Sequence, residues 1–325
     1  KSKILAFVTV WGLVAFSMIS YAPIAQAAAG WTKQGVVTLE SERFVTDSWV
    51  IKDGDTYRMW YTHGNSTLSL SAIINQIKAV ITGDIVNDLA GLDLSALLSQ
   101  DLPLTDIDAL WTLLSTSSTA IGYATSTDGI TWAVVASNTF VPTGAGWDSL
   151  GSPCVVKTGT GFEMWYTNSR LILTKGQLAA AIADLADPAK SSAAMETLMG
   201  GMDSTIGHAT SPDGETWTIA KADTISNSGT ALWSSVSEPS VILNGSQYEI
   251  WYTYAETSLI QTDIDALMQK VADQTFGSGD LWDLTAKFSS TIKYGTSVDG
   301  ETWTIEDTAG IANLGGTIWS SAGGA

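Results

Sequence analysis

The side chains able to do chemistry are few in kind: two His, one Cys, and 33 Asp+Glu against 15 Lys+Arg. A single Cys154 excludes an internal disulfide framework and a Cys-based zinc site. Its place after Pro153 reads as a small buried side chain. His63 and His208 show no metal-ligand spacing, His208 reads as a packed strand residue, and nothing in the sequence calls for a metal or another cofactor. Carboxylate acid–base chemistry and stacking by the 14 Trp are what remain. Asp128, Asp213 and Asp299 recur in Ser-x-Asp-Gly segments and are tempting acids, but an Asp in such a hairpin ordinarily hydrogen-bonds its own turn. A formal net charge of −18 offers no basic face for phosphates, which excludes a nucleic-acid partner. With 45% hydrophobic and 15% charged residues, the chain can build a sizeable core.

The elements that must position these groups are repeats. One segment occurs three times, at Ile121 to Trp132, Ile206 to Trp217 and Ile292 to Trp303. A second occurs as Met59-Trp60-Tyr61-Thr62, Met164-Trp165-Tyr166-Thr167 and Ile250-Trp251-Tyr252-Thr253. Each copy of the second follows a glycine turn (Asp53-Gly54, Thr160-Gly161, Asn244-Gly245), a hairpin signal because such turns need positive φ. Each unit therefore reads as four short antiparallel strands, A to D. Between B and C lie stretches at about 69–115, 172–200 and 257–288 with apolar positions three and four apart, the period of amphipathic helices. Thr105-Asp-Ile-Asp-Ala-Leu110 and Thr262-Asp-Ile-Asp-Ala-Leu267 match across two inserts, each with Thr placed as an N-cap.

The expected fold is mainly β with α-helical inserts, as β-propeller blades. About three complete blades are present, preceded by a lone D strand at Trp31 to Val37. Ile318-Trp-Ser-Ser321 matches Leu232-Trp-Ser-Ser235, just before a fourth A strand is due. Three blades cannot close a ring, so the sequence is expected to be a fragment of a five-bladed propeller. Trp60, Trp165 and Trp251 should pack between blades. Strand alternation puts the inserts at the same end of the blades as the starts of the A strands. Their apolar faces should pack on one another across blades.

The pattern Pro-Ser-Val-Ile, glycine turn, Trp-Tyr-Thr, then Ile-Gly-Tyr-Ala-Thr-Ser-x-Asp-Gly-x-x-Trp resembles the five-bladed propellers of glycoside hydrolase families 43 and 32, with the helical inserts outside the likeness. The resemblance implies catalytic carboxylates near the start of strand A in successive blades. The positions thirteen before each B-strand Trp are Asp47, Ser152 and Glu238. It implies Asp47 as nucleophile or base and Glu238 as acid, one ionised and one protonated across a glycosidic bond. The middle position carries Ser152 where the pattern implies an Asp, and the nearest carboxylate is Asp148, four positions earlier. Trp147, Trp233 and Trp319, in the D–A connections, are candidates for stacking on sugar faces or for structural caps, and Trp49, beside Asp47, is a further candidate sugar contact.

Lys1 and Lys3, an apolar stretch from Ile4 to Ile19 and Ala25-Gln26-Ala27 mark residues 1–27 as a secretory signal peptide, with blades over 28–325. An uncleaved anchor is the alternative for that stretch. Two readings follow. The first is a secreted glycoside-hydrolase-like propeller that binds or hydrolyses an extracellular polysaccharide. The second is a non-catalytic cell-surface, periplasmic or envelope scaffold, its helical crown contacting an envelope protein.

Overall fold

The computed structural model describes residues 39, 45–64, 107–108, 111, 114, 118–144, 148–185, 187–227, 229, 231–273 and 275–311. The expected signal peptide, the strand at Trp31 to Val37, most of the 69–115 insert, Trp147 and Trp319 lie outside the described residues.

Three four-stranded antiparallel sheets make up the described β structure. The first holds β1 (Val45–Asp53), β2 (Thr56–Gly64), β3 (Thr119–Ser126) and β4 (Ala133–Phe140). The second holds β5 (Asp148–Lys157), β6 (Phe162–Leu171), β7 (Met202–Ser211) and β8 (Thr218–Ile225). The third holds β9 (Ser234–Asn244), β10 (Gln247–Thr257), β11 (Phe288–Ser297) and β12 (Thr304–Ile311). Strands follow chain order in every sheet. The first strand of one sheet packs against the sheet before it: β5 on β1, β2 and β3, and β9 on β5, β6 and β7. This is the relation expected of propeller-like blades, with β1, β5 and β9 innermost.

One unit of packing is repeated at both seams. Trp60 and Trp165 are fully buried. Their indole N–H groups donate to carbonyls in the Asp-Gly turns of the following sheet, Gly214 at 2.8 Å and Gly300 at 2.9 Å. The edge of each ring meets a Trp of that sheet, Trp217 or Trp303, at 6.2 Å between centroids. The aspartates shape these turns, as expected: Asp213 accepts from the amides of Glu215 and Thr216, both at 2.8 Å, and Asp299 accepts from Glu301 and Thr302. These backbone donors hold both carboxyls below the usual carboxylate range. Trp251 differs: it is half-buried, tilted against Tyr294 at 5.1 Å, and no following sheet covers it among the described residues.

The turn glycines inherit different burdens from this plan. A Cβ on Gly300, at φ +73°, would sit 2.8 Å from Cζ2 of Trp165, whereas one on Gly245, at φ +66°, would meet nothing within 4 Å. Both sites charge alanine the left-handed penalty of about 1–2 kcal/mol. Gly300→Ala is therefore expected to destabilise clearly more than Gly245→Ala in chemical denaturation. Equal losses would mean that the turn does not press on the Trp165 ring.

Between β6 and β7 lie α1 (Lys175–Asp184) and α2 (Ser191–Gly200), and between β10 and β11 lie α3 (Gln261–Ala272) and α4 (Ser278–Thr285). A reciprocal capping box between Thr174 and Gln177 starts α1. In α3 the helix begins earlier than the Thr262 signal suggests. Ile260 takes the N-cap place and the Asp263 carboxylate accepts its N–H at 3.0 Å, leaving Thr262 inside the first turn. Asp263 meets an orphan backbone donor that a Thr262 cap would leave unpaired. The matching Thr105 lies outside the described residues. α2 packs on α3, and Lys175 of α1 pairs with Asp108 of the first insert, so helices of neighbouring sheets join one another. Strand register settles their end: Arg170, next to the second insert, pairs with Asp148 at the start of β5, while Ser211, at the Asp-Gly turn, pairs with Phe162.

Candidate functional site

Near the insert end, each innermost strand carries the same irregularity. Pairing of β1 with β2 runs regularly to Trp49 opposite Trp60 and resumes at Thr46 opposite Thr62. Asp47 and Ser48 thus face Tyr61 alone. In β5, Ser152 and Pro153 face Tyr166, and in β9, Glu238 and Pro239 face Tyr252. Two residues against one is a β-bulge. A proline suits the second place because the bulge leaves no ladder bond for its missing N–H.

Asp47, Ser152 and Glu238 sit in the left-handed region, with φ of 48°, 47° and 54°, and they are the only non-glycine residues at positive φ among the described residues. Holding a residue with a Cβ there costs about 1–3 kcal/mol, and such strain concentrates at functional sites. The three positions found by counting thirteen back from each Trp are thus structurally equivalent.

Their surroundings come from their own sheet and from the neighbouring one. The Ser152 amide donates to Thr62 Oγ1 at 2.8 Å, and the Glu238 amide donates to Thr167 Oγ1 at 2.9 Å. Ser152 Oγ donates to Asp47 Oδ2 at 3.4 Å, and Thr46 Oγ1 donates to Asp47 Oδ1 at 3.0 Å. Glu238 Oε2 accepts the Thr253 hydroxyl at 2.8 Å. Asp47 and Ser152 are therefore in direct contact across the first seam, and a hydroxyl holds the middle place that the family pattern gives to a carboxylate. The arrangement presents carboxyl, hydroxyl and carboxyl groups on three adjacent inner strands, a set able to polarise and exchange protons with a ligand at the insert end.

The other candidates are dispersed. Asp148 opens β5 and lines a cavity of about 370 Å³ with Phe140, Tyr166, Asn168 and Arg170, which neither Asp47 nor Glu238 lines. Trp49 donates its indole N–H to the Val155 carbonyl at 2.9 Å and packs against the cores of both seams, so packing between sheets uses its ring. Trp233 is half-buried at the insert end, its ring at 5.8 Å from Phe288 in an edge contact. Cys154 is fully buried, accepts the Val241 N–H at 3.1 Å, and has its thiol pushed up to about 12 by burial, which rules out a nucleophile. No group of three or more His, Cys, Asp or Glu among the described residues is arranged to hold a metal ion.

A second ionisable group, missed from sequence, lies in the other seam. His208 Nε2 is 3.0 Å from Glu163 Oε2, the Tyr248 hydroxyl donates to Glu163 Oε1 at 2.7 Å, and the His208 ring stacks on Trp165 at 4.7 Å. Burial pushes the Glu163 pKa up, but His208 and Tyr248 outweigh it and hold the carboxyl below the usual glutamate range. A depressed folded-state pKa adds stability above the unfolded value, near 4.5, and loses it as pH falls through the folded one. The melting temperature of wild type should therefore fall more steeply than that of Glu163→Gln below about pH 4.5. Parallel profiles from pH 7 to 3 would remove Glu163 from the acid response.

No family model matches the chain, and no curated protein does. Among solved structures it is similar to a family 117 glycoside hydrolase produced by the marine bacterium Zobellia galactanivorans, at 14% identity and TM-score 0.45, over 82% of this chain and 57% of that one. It is also similar to a GH32 β-fructofuranosidase of Bombyx mori, at 9% identity and TM-score 0.40, over 84% and 38%. A third is a β-1,2-mannobiose phosphorylase from Listeria innocua, at 10% identity and TM-score 0.37, over 86% and 62%. The chain thus spans 38% to 62% of the length of these structures.

Proposed function

We propose that the chain is the carbohydrate-active part of a secreted, glycoside-hydrolase-like propeller, and that its ligand is an extracellular polysaccharide. The observation that carries this reading is the equivalence of Asp47, Ser152 and Glu238. Three innermost strands hold the equivalent position in the same strained conformation, and two of the three residues there are carboxylic acids. Structural bulges alone would be served more cheaply by glycine. In this reading Glu238 of the third sheet donates the proton to the leaving oxygen while Asp47 of the first sheet acts as base or nucleophile. Ser152 orients Asp47 through its hydroxyl. The signal-like segment at residues 1–27 supports export.

One observation favours the alternative, an envelope scaffold: the inserts of neighbouring sheets pack together at the end that would admit a glycan. The two readings part on reducing-sugar release from arabinans, xylans and fructans, with affinity electrophoresis on the same panel. Release or retardation by any of them supports the carbohydrate reading. Neither effect with any of them overturns it in favour of the scaffold.

A further inference from the structure

We propose that the threonine closing each Trp-Tyr-Thr motif is the positioning residue for the strained residue of the following sheet, so that Thr62 sets Ser152 and Thr167 sets Glu238. For Glu238 this rests on its reading as the acid, whereas the backbone clamp does not.

A bulge directs one amide away from its own ladder, and a buried amide needs an acceptor. At both described seams that acceptor is the same residue of the same motif. Thr62 Oγ1 takes the Ser152 N–H at 2.8 Å and Thr167 Oγ1 takes the Glu238 N–H at 2.9 Å. Both threonines are buried, at 4% and 7% exposure, which holds their hydroxyls in place. Threonine is stiff at χ1, which makes its hydroxyl a fixed acceptor where a longer side chain would wander. The partners stand 90 and 71 residues apart in the chain, so the clamp exists only once two sheets have docked.

The same motif position acts on Glu238 a second time. Thr253, its counterpart in the third sheet, donates to Glu238 Oε2 at 2.8 Å. Thr167 thus fixes the backbone from one sheet and Thr253 fixes one carboxyl oxygen from the other.

The experiment uses the full chain with Thr167→Val, which keeps the shape and removes the hydroxyl, and Thr167→Ser, which keeps the hydroxyl. On whichever polysaccharide the wild type cleaves, Thr167→Val should lower kcat about 10–100-fold with KM within about twofold, since a misplaced group costs the chemical step rather than binding. Thr167→Ser should restore most of the loss. Amide exchange reads the clamp itself: the Glu238 amide loses protection in Thr167→Val and the Ser152 amide in Thr62→Val, each leaving the other unchanged. Full activity in Thr167→Val, or no recovery with serine, overturns the positioning role. Fast exchange of the Ser152 and Glu238 amides in wild type overturns the clamp without any variant having to fold. A wild type that cleaves nothing defeats the catalytic reading and, with it, the positioning of an acid, while the exchange pattern still decides the clamp.

Discussion

Glu238→Gln is expected to lower polysaccharide hydrolysis by about 10²–10⁴-fold, the usual contribution of a positioned general acid. The substitution is clean on structural grounds. The Glu238 amide still donates to Thr167, and the side-chain amide oxygen can still accept from Thr253. Shape and anchoring are thereby kept while the transferable proton is lost. Melting temperature should stay within a few degrees of wild type, and binding of an uncleaved oligosaccharide should survive. Wild-type turnover in this variant, on a substrate that the wild type cleaves, would remove Glu238 from the chemistry.

The largest effect on stability is expected from Trp165→Ala. Trp165 has no exposed surface, stacks on His208, meets Trp303 edge-on, and donates to the Gly300 carbonyl across the seam. Truncating a buried aromatic of this size costs about 3–5 kcal/mol, and the lost indole bond, which leaves the Gly300 carbonyl to the longer 3.4 Å bond from the Thr224 hydroxyl, adds about 0.5–1.5 kcal/mol. Against a total stability of about 5–15 kcal/mol, that approaches loss of the folded state. Trp165→Phe keeps a ring and loses the N–H, and should cost about half as much or less. Trp251→Ala is the matched control, because the same motif residue in the third sheet is only half-buried. Urea denaturation giving equal losses at positions 165 and 251 would show that the seam is not what holds the Trp.

Much of this organisation is legible in the sequence because it is local. Hairpin turns declare themselves through glycine, strands through alternation, and repeats through their own recurrence. Counting thirteen residues back from each Trp reaches the bulges because the hairpin between them has nearly constant length, and the structure places all three of those residues at positive φ. The threonine clamp had a readable signal as well, in the constancy of Thr62, Thr167 and Thr253. That signal names a residue without its partner. Trp49 shows the converse: an aromatic beside a candidate carboxylate can be named from sequence, but its hydrogen bond to the Val155 carbonyl of the next sheet cannot. The Thr262 cap went astray over two residues, because Asp263 accepts the Ile260 amide and so starts the helix earlier.

What the sequence alone determined is the repeating unit and its strand order, since each is set by contacts between residues close along the chain. Only the tertiary structure decided that Asp47 touches Ser152, that Thr167 holds Glu238, and that Glu163, His208 and Tyr248 meet across a seam. Those pairs are joined by the docking of one sheet on the next. Hydrophobic burial drives that docking without specifying partners, and the side chains that end up in contact follow from the shapes of the two packed faces.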